Sequence, residues 1–346
     1  VYKRQPLYRM QIDPSGGRVI NWEGLEYESY LGGPVQLVPG DIPAVGLDAV
    51  VFAGQELDLG RVLYQPDQTG EIRVDGETSR SLTLTADTRG GLRIQKIFTF
   101  DPASYVVIVD LVVLAGDADQ SRRTLDQVGA PRFIRLGWNQ GIAPTERNQR
   151  MEEAALRSFA RVGEEYQYKK QMNLKKGLEK VELQMSGSVH FAGLQNRYFT
   201  TVGIVPQEPG VPIEGTIHLS GDPELLVQSW TIQVPATRNG TEIASGRFHL
   251  FIGPQEKPLL TAAGQGLEKT MDLGWKIFRP LASMVLTIMA WMNRFIPNYG
   301  LIIILFSILT KVLFYPLTKT STESMKKMQE LQPKLKALQE KYKDNK

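Results

Sequence analysis

The stretch ILFSILTKVLFYPLTK, residues 304–319, restricts this chain more than any other. It lies in an apolar run, residues 299–317, about 28 Å long at roughly 1.5 Å per residue, the thickness of a hydrocarbon core. The single charge in that run is Lys311, and Tyr299 and Tyr315 flank it as interfacial aromatics do. An ammonium left in lipid costs roughly 2.5–3.5 kcal/mol on insertion scales. Two arrangements relieve that cost. The inner end of the run is about 9 Å away at 1.5 Å per residue, so the side chain can snorkel towards it. Alternatively, Lys311 faces water or a polar partner inside the membrane. Ser307 lies one helical turn before Lys311 and Thr310 sits beside it, so the polar groups share one face. Ordinary spans also carry Ser and Thr bonded to preceding carbonyls, which keeps both readings open.

The residues before this run read as a second helix. Lys276, Arg279, Ser283, Thr287 and Arg294 fall on one face, and Ile277, Leu281, Met284, Val285, Ile288 and Met292 cover the rest. Trp275 and Trp291 are interfacial residue types. An apolar body with a cationic stripe suits a helix lying in the membrane surface. An amphipathic core helix and a second span are the alternatives. Pro297-Asn298 breaks the helix before the span begins.

Charge sets the topology. From Thr318 onward eight lysines face four acidic residues, while the whole chain carries only +3. Lysines directly after a span place that side in the cytoplasm. With the preceding helix interfacial, the residues before it are exterior; with that helix spanning, they return to the cytoplasm. Met328, Leu331, Leu335, Leu338 and Tyr342 are spaced as a coiled-coil seam of about two heptads, which needs a partner helix. Pro333 should end, kink or restart that helix.

Residues 1–262 read as β-rich. SLTLTADT (81–88), LRIQKIFTF (92–100) and YVVIVDLVVLAG (105–116) are β-branched runs bounded by Gly, Pro and Asp, and TIHLSGD, VQSWTIQVPAT and EIASGRFHLFIG continue the style to residue 253. Asn239-Gly240 predicts a type I′ hairpin between two of them. The one candidate helix lies around residues 152–160. Such a series of short strands implies a large two-sheet sandwich. PQEKPLLTAAGQG (254–266) reads as a linker. The first ten residues show neither an initiator Met nor an apolar signal core, and the last ones stop inside a helical pattern, so a fragment of a longer protein is expected.

Chemistry-bearing motifs are sparse. The chain has no cysteine, which excludes thiolate metal sites and disulfides. His190, His218 and His249 belong to no recognisable acid–base pair, and structural histidines explain them better than a sugar epimerase does. GQGLEKT (264–270) lacks the glycine directly before its lysine that a phosphate loop needs. The lysine tail has few interleaved aromatics, so anionic lipid or ribosomal contact fits it better than nucleic acid. No metal or cofactor is implied. A membrane-anchored binding module explains the span but not the Ser307/Lys311 stripe or the heptads.

The segment LTKVLFYPLTKTSTESMKKMQELQPKLKALQEKY resembles the second transmembrane helix and first cytoplasmic helix of the YidC/Oxa/Alb family of membrane protein insertases. The shared pattern is a basic residue four before Tyr-Pro-Leu-Thr, then a helix rich in Met (Met325, Met328) and Lys containing Gln-Pro-Lys. GWKIFRPL is similar to the family's exterior amphipathic helix, LQNRYFTTVGIVP (194–206) to a motif of its periplasmic domain, and FHLFIGPQ to that domain's last strand. The resemblance implies a periplasmic β-supersandwich over 1–262, a linker and interfacial helix over 263–297, a transmembrane helix over 298–317, and the start of a cytoplasmic coiled-coil hairpin over 318–346. It implies an inner-membrane protein that inserts nascent membrane proteins through a hydrated, positively charged groove without hydrolysing nucleotide. The Sec translocon (SecYEG, SecDF), the ribosome and the bilayer are the implied partners. By position the groove's basic residue is Lys311, where familiar members carry Arg. Lys keeps the charge but loses the planar fork. Ser307 matches a groove-facing polar position.

Overall fold

The computed structural model describes residues 2–4, 7–38, 45–53, 55–170, 181–207, 210–222, 227–238, 240–271, 279–296 and 298–341. Two compact units divide at Met271/Asp272.

The first unit is two facing, almost wholly antiparallel sheets. One runs Gln65–Pro66, Arg80–Asp87, Leu92–Phe100, Val106–Ala115, Ala244–Pro254, Phe199–Ile204, Val181–Gln195, Arg157–Val162, Glu165–Lys170 in spatial order. The other starts from Glu71–Arg73, Tyr2–Arg4, Tyr8–Asp13 and Arg18–Glu28. It continues through Val45–Val51, Phe133–Trp138, Val227–Pro235 and Glu214–Asp222 to Val181–Gln195. That last strand serves both sheets: residues up to Ser188 pair in one and residues from Val189 in the other. The bend falls at Gly187, whose φ of +139° suits glycine, and whose added Cβ would meet Val162 at 3.0 Å.

Period-two alternation drives the stacking. Leu92, Ile94, Phe98 and Phe100 face inward along their strand, as do Val107, Val109, Leu111 and Val113 on the next. Trp230 and Ile232 on one sheet meet Gly203 on the other, where a Cβ would lie 2.5 Å from the indole. The inward rows form one apolar core. The expected class, an all-β domain followed by helices, is the one observed, and every quoted β-branched run is a strand.

Four local expectations need correction. The strands on either side of Asn239-Gly240 belong to different sheets, so no two-residue hairpin joins them. Asn239 lies outside the described residues; Gly240 has φ +57°, and a bridge between Thr237 and Ser245 closes a wider crossing. The helix expected at 152–160 is Gln149–Ala155, capped by Asn148, because Arg157–Val162 pairs into a sheet instead. Ala118–Val128 is an additional helix, capped by Asp117 and too polar to announce itself by apolar spacing. The supposed linker holds the helix Lys257–Ala263 and a 3₁₀ turn Leu267–Thr270, with Leu260 and Leu267 fully buried. Arg161 donates to the Gln265 carbonyl at 2.8 Å, Arg157 to the Thr270 carbonyl at 2.5 Å, and His190 Nδ1 lies 2.9 Å from Gln265 Oε1. Two leucines, two bonds to backbone carbonyls and one side-chain contact hold a segment whose Pro, Gly and Gln content reads as loop.

The second unit contains the helices Arg279–Asn293 and Tyr299–Lys341. Asn298 starts the long helix: its side chain accepts from Leu301 N at 3.2 Å. Pro316 and Pro333 both lie inside it, and the backbone stays helical through them. The helix therefore neither ends nor restarts at Pro333. A proline ring removes one amide donor and crowds one carbonyl, and the surrounding helix formers outweigh that here.

Candidate functional site

Residues Tyr299–Pro316 are the one described helical stretch long and apolar enough to cross a membrane. Almost none of it is covered by protein: Ile303, Ile304, Ile308, Leu309, Leu313 and Phe314 are all exposed, and Ile302 is the buried exception. An apolar face of that extent in water would aggregate; in a bilayer it is the favoured arrangement.

Lys311 is exposed on this helix, and Ser307, one turn earlier, is exposed on the same face. Thr310 is half-buried, and its hydroxyl donates to the Ser307 carbonyl at 2.9 Å, so its polarity is satisfied within the helix. Ser307 Oγ and the Lys311 ammonium are the polar groups this face offers to a ligand or to other helices. After Pro316 the hydroxyls of Thr318, Thr320, Thr322 and Ser324 each donate to the carbonyl four residues back, at 2.8–3.0 Å.

The preceding helix places Trp291 on its surface, edge-on to Phe295 at 5.3 Å between ring centroids. Thr287 bonds back to the Ser283 carbonyl at 2.8 Å. Arg279 is the first helical residue, and Arg294 lies in the turn just past Asn293, bonded through its amide to the Trp291 carbonyl. Trp275 and Lys276 lie outside the described residues. Along the tail Met325, Met328 and Leu331 are exposed; Leu335 and Leu338 continue the helix with side chains outside the description.

Within the β unit the motif LQNRYFTT forms a buried polar knot. Asn196 donates to Glu152 Oε1 at 3.0 Å and to Thr145 Oγ1 at 3.2 Å, while its own Oδ1 accepts from the amides of Tyr198 and Phe199. The knot ties the helix Gln149–Ala155 to the turn before Phe199–Ile204. A second cluster surrounds Lys96, fully buried in the inward row of its strand. Its ammonium donates to the carbonyls of Gly16 at 2.5 Å and Leu47 at 2.8 Å, beside the Arg18–Asp48 ion pair and 4.9 Å from the Tyr64 ring centre. Burial pushes its pKa down to about 7, opposed by Asp48. Burial raises the Asp48 carboxyl in turn, opposed by Arg18 and Lys96. A polar letter between Ile94 and Phe98 in an alternating run is the signal that could have found this cluster. His249 is pushed below the usual imidazole range by burial and by Arg247.

The family profile described as "YidC periplasmic domain" matches residues 4–285, and "60Kd inner membrane protein" matches residues 291–346. The chain is 31% identical to "Membrane protein insertase YidC" of Pelodictyon phaeoclathratiforme over 98% of its own length and 56% of that protein. It is 33% identical to the protein of the same name in Chlorobaculum tepidum, over 84% of this chain and 48% of the relative. The chain thus spans about half the length of these curated relatives. Among solved structures, a putative aldose 1-epimerase from Klebsiella pneumoniae aligns with 76% of the chain at 10% identity and a TM-score of 0.44. With two profiles covering both units and relatives alike along nearly the whole sequence, the chain belongs to the YidC family of membrane protein insertases.

Proposed function

We propose that this chain supplies the extracytoplasmic β domain and the first groove-forming helix of a membrane protein insertase. The observation that carries the reading is Lys311 with Ser307, uncovered on one face of an otherwise apolar membrane-length helix. Facing the other spans of the whole protein, that face lines a hydrated, positively charged groove. Water and a cation inside the low-dielectric slab shorten the dry path for a substrate's hydrophilic tail and attract its acidic groups. The substrate's apolar segment then leaves sideways into lipid, driven by its own transfer free energy. No covalent step and no nucleotide is needed, so no side chain acts as acid, base or nucleophile.

In this arrangement the β domain is periplasmic, and the lysine tail is cytoplasmic by the positive-inside rule. Residues 275–294 lie in the outer interface, with Trp275, Lys276, Arg279, Trp291 and Arg294 at headgroup level. Met328, Leu331, Leu335, Leu338 and Tyr342 form the seam of a cytoplasmic helical hairpin, on the helix that also carries Met325. The substrates are nascent inner-membrane proteins. The Sec translocon and the ribosome are its partners, the ribosome on the tail's side.

The test replaces Lys311 in the full-length protein, reconstituted in proteoliposomes with a substrate carrying an acidic tail. Lys311→Ala is expected to lose at least tenfold in insertion rate and Lys311→Arg to keep it. Full activity of the alanine form overturns the role given to the ammonium.

A further inference from the structure

The β unit has a second concave feature, far in sequence from the membrane helix. Ile97, Asp110 and Arg247 are direct cross-strand partners on three adjacent strands, and Val112 and Ser245 form the next row. These residues point away from the core and floor a groove of about 850 Å³. The rest of its lining includes Pro206, Val211, Pro212, Val234, Pro235 and Glu242.

The lining is held in place. Gln207 donates to the Val189 carbonyl at 2.7 Å and accepts from the Ile213 amide at 3.3 Å. Thr237 and Ser245 exchange backbone hydrogen bonds at 2.7 and 2.8 Å. A preformed groove loses little ordering entropy when a ligand enters.

Its chemistry is one-sided. Arg247 is engaged by both oxygens of Asp110, at 2.6 and 3.1 Å, and among the described residues Glu214 and Glu242 have no ion-pair partner. Glu242 Oε2 is shut away from solvent and accepts no hydrogen bond among the described residues. Prolines 206, 212 and 235 are part of the lining and have no amide N–H to offer a ligand.

We propose that this groove binds an extended polypeptide segment of a partner protein in which a lysine or arginine is flanked by apolar residues. The cation meets Glu242 and Glu214, the apolar side chains cover Ile97, Val112 and Val211, and backbone amides donate to the walls. Charge complementarity commits the site to a basic segment, and the proposal stands apart from the role given to Lys311.

The chain has no cysteine, so Val211→Cys, exposed on the groove wall, takes a single environment-sensitive fluorophore without background. The labelled chain, in detergent micelles, is titrated with acetyl-Val-Leu-Lys-Leu-Val-amide and with the twin carrying Glu in place of Lys. Saturable binding of the lysine peptide is expected, with the glutamate twin at least tenfold weaker. Glu242→Gln should weaken the lysine peptide about tenfold. Glu214→Gln, at an exposed position that cannot compromise folding, should weaken it two- to fivefold. Equal binding of the two peptides, no saturation at millimolar peptide, or wild-type affinity in both variants overturns the proposal. So does concentration-dependent self-association that either variant abolishes, which assigns the groove to a second copy of the chain.

Discussion

Lys96 Nζ sits 2.8 Å from the Leu47 carbonyl oxygen, joining the two sheets through the middle of the sandwich. The ammonium is fully enclosed, and its folded pKa of about 7 lies well below its ordinary 10.5. Between those values the unfolded chain binds more protons than the folded one, so stability rises with pH across that window. The slope is at most about 1.4 kcal/mol per pH unit. Urea unfolding at pH 7.5, 8.5 and 9.5 is expected to show this rise, and Lys96→Met to remove it.

Asn196 fills a place that few side chains can. Replacing it with Ala removes donors to Glu152 and Thr145 and an acceptor for two amides. A loss of about 2–4 kcal/mol is expected from these buried groups. Asn196→Asp sets a second carboxylate against Glu152, and the repulsion fades once either is protonated. Its deficit relative to the native chain should therefore shrink between pH 7 and pH 4, measured by chemical denaturation at each pH.

Gly203→Ala tests the contact between the sheets. The added methyl would lie 2.5 and 2.7 Å from two Trp230 ring carbons and 3.1 Å from Ile232 Cδ1. Overpacking of this kind costs about 1–3 kcal/mol. A lower thermal midpoint and altered tryptophan fluorescence are the expected readouts; an unchanged midpoint would mean that the sheets separate freely here.

Arg161→Ala releases one anchor of the segment after the last strand. Its guanidinium donates to the carbonyls of Gln265 and Gly163. Amide hydrogen exchange over residues 264–271 should accelerate at least tenfold while the strand Val106–Ala115 stays protected.

The sequence made the membrane helix and the strands legible because each carries a period: apolar continuity over residues 299–317, alternation in runs such as LRIQKIFTF. It did not reveal which strands pair. The turn at residues 239–240 has ideal hairpin chemistry, yet its neighbours part into different sheets, a choice made by core rows such as Trp230 and Phe248. Local polarity also misled at residues 254–266, where the buried Leu260 outweighs its surroundings. The Ser307/Lys311 face was readable from helical spacing alone. The groove over Ile97, Asp110 and Arg247 was not, because it exists only once strands distant in sequence lie side by side.

Helical continuity through both prolines makes Tyr299–Lys341 one uninterrupted helix, about 64 Å along its path at 1.5 Å per residue. Some 45 Å of it, by the same rise, lies beyond Lys311. Whatever grips the Met328–Leu331 segment therefore holds the same unbroken helix that carries Ser307 and Lys311.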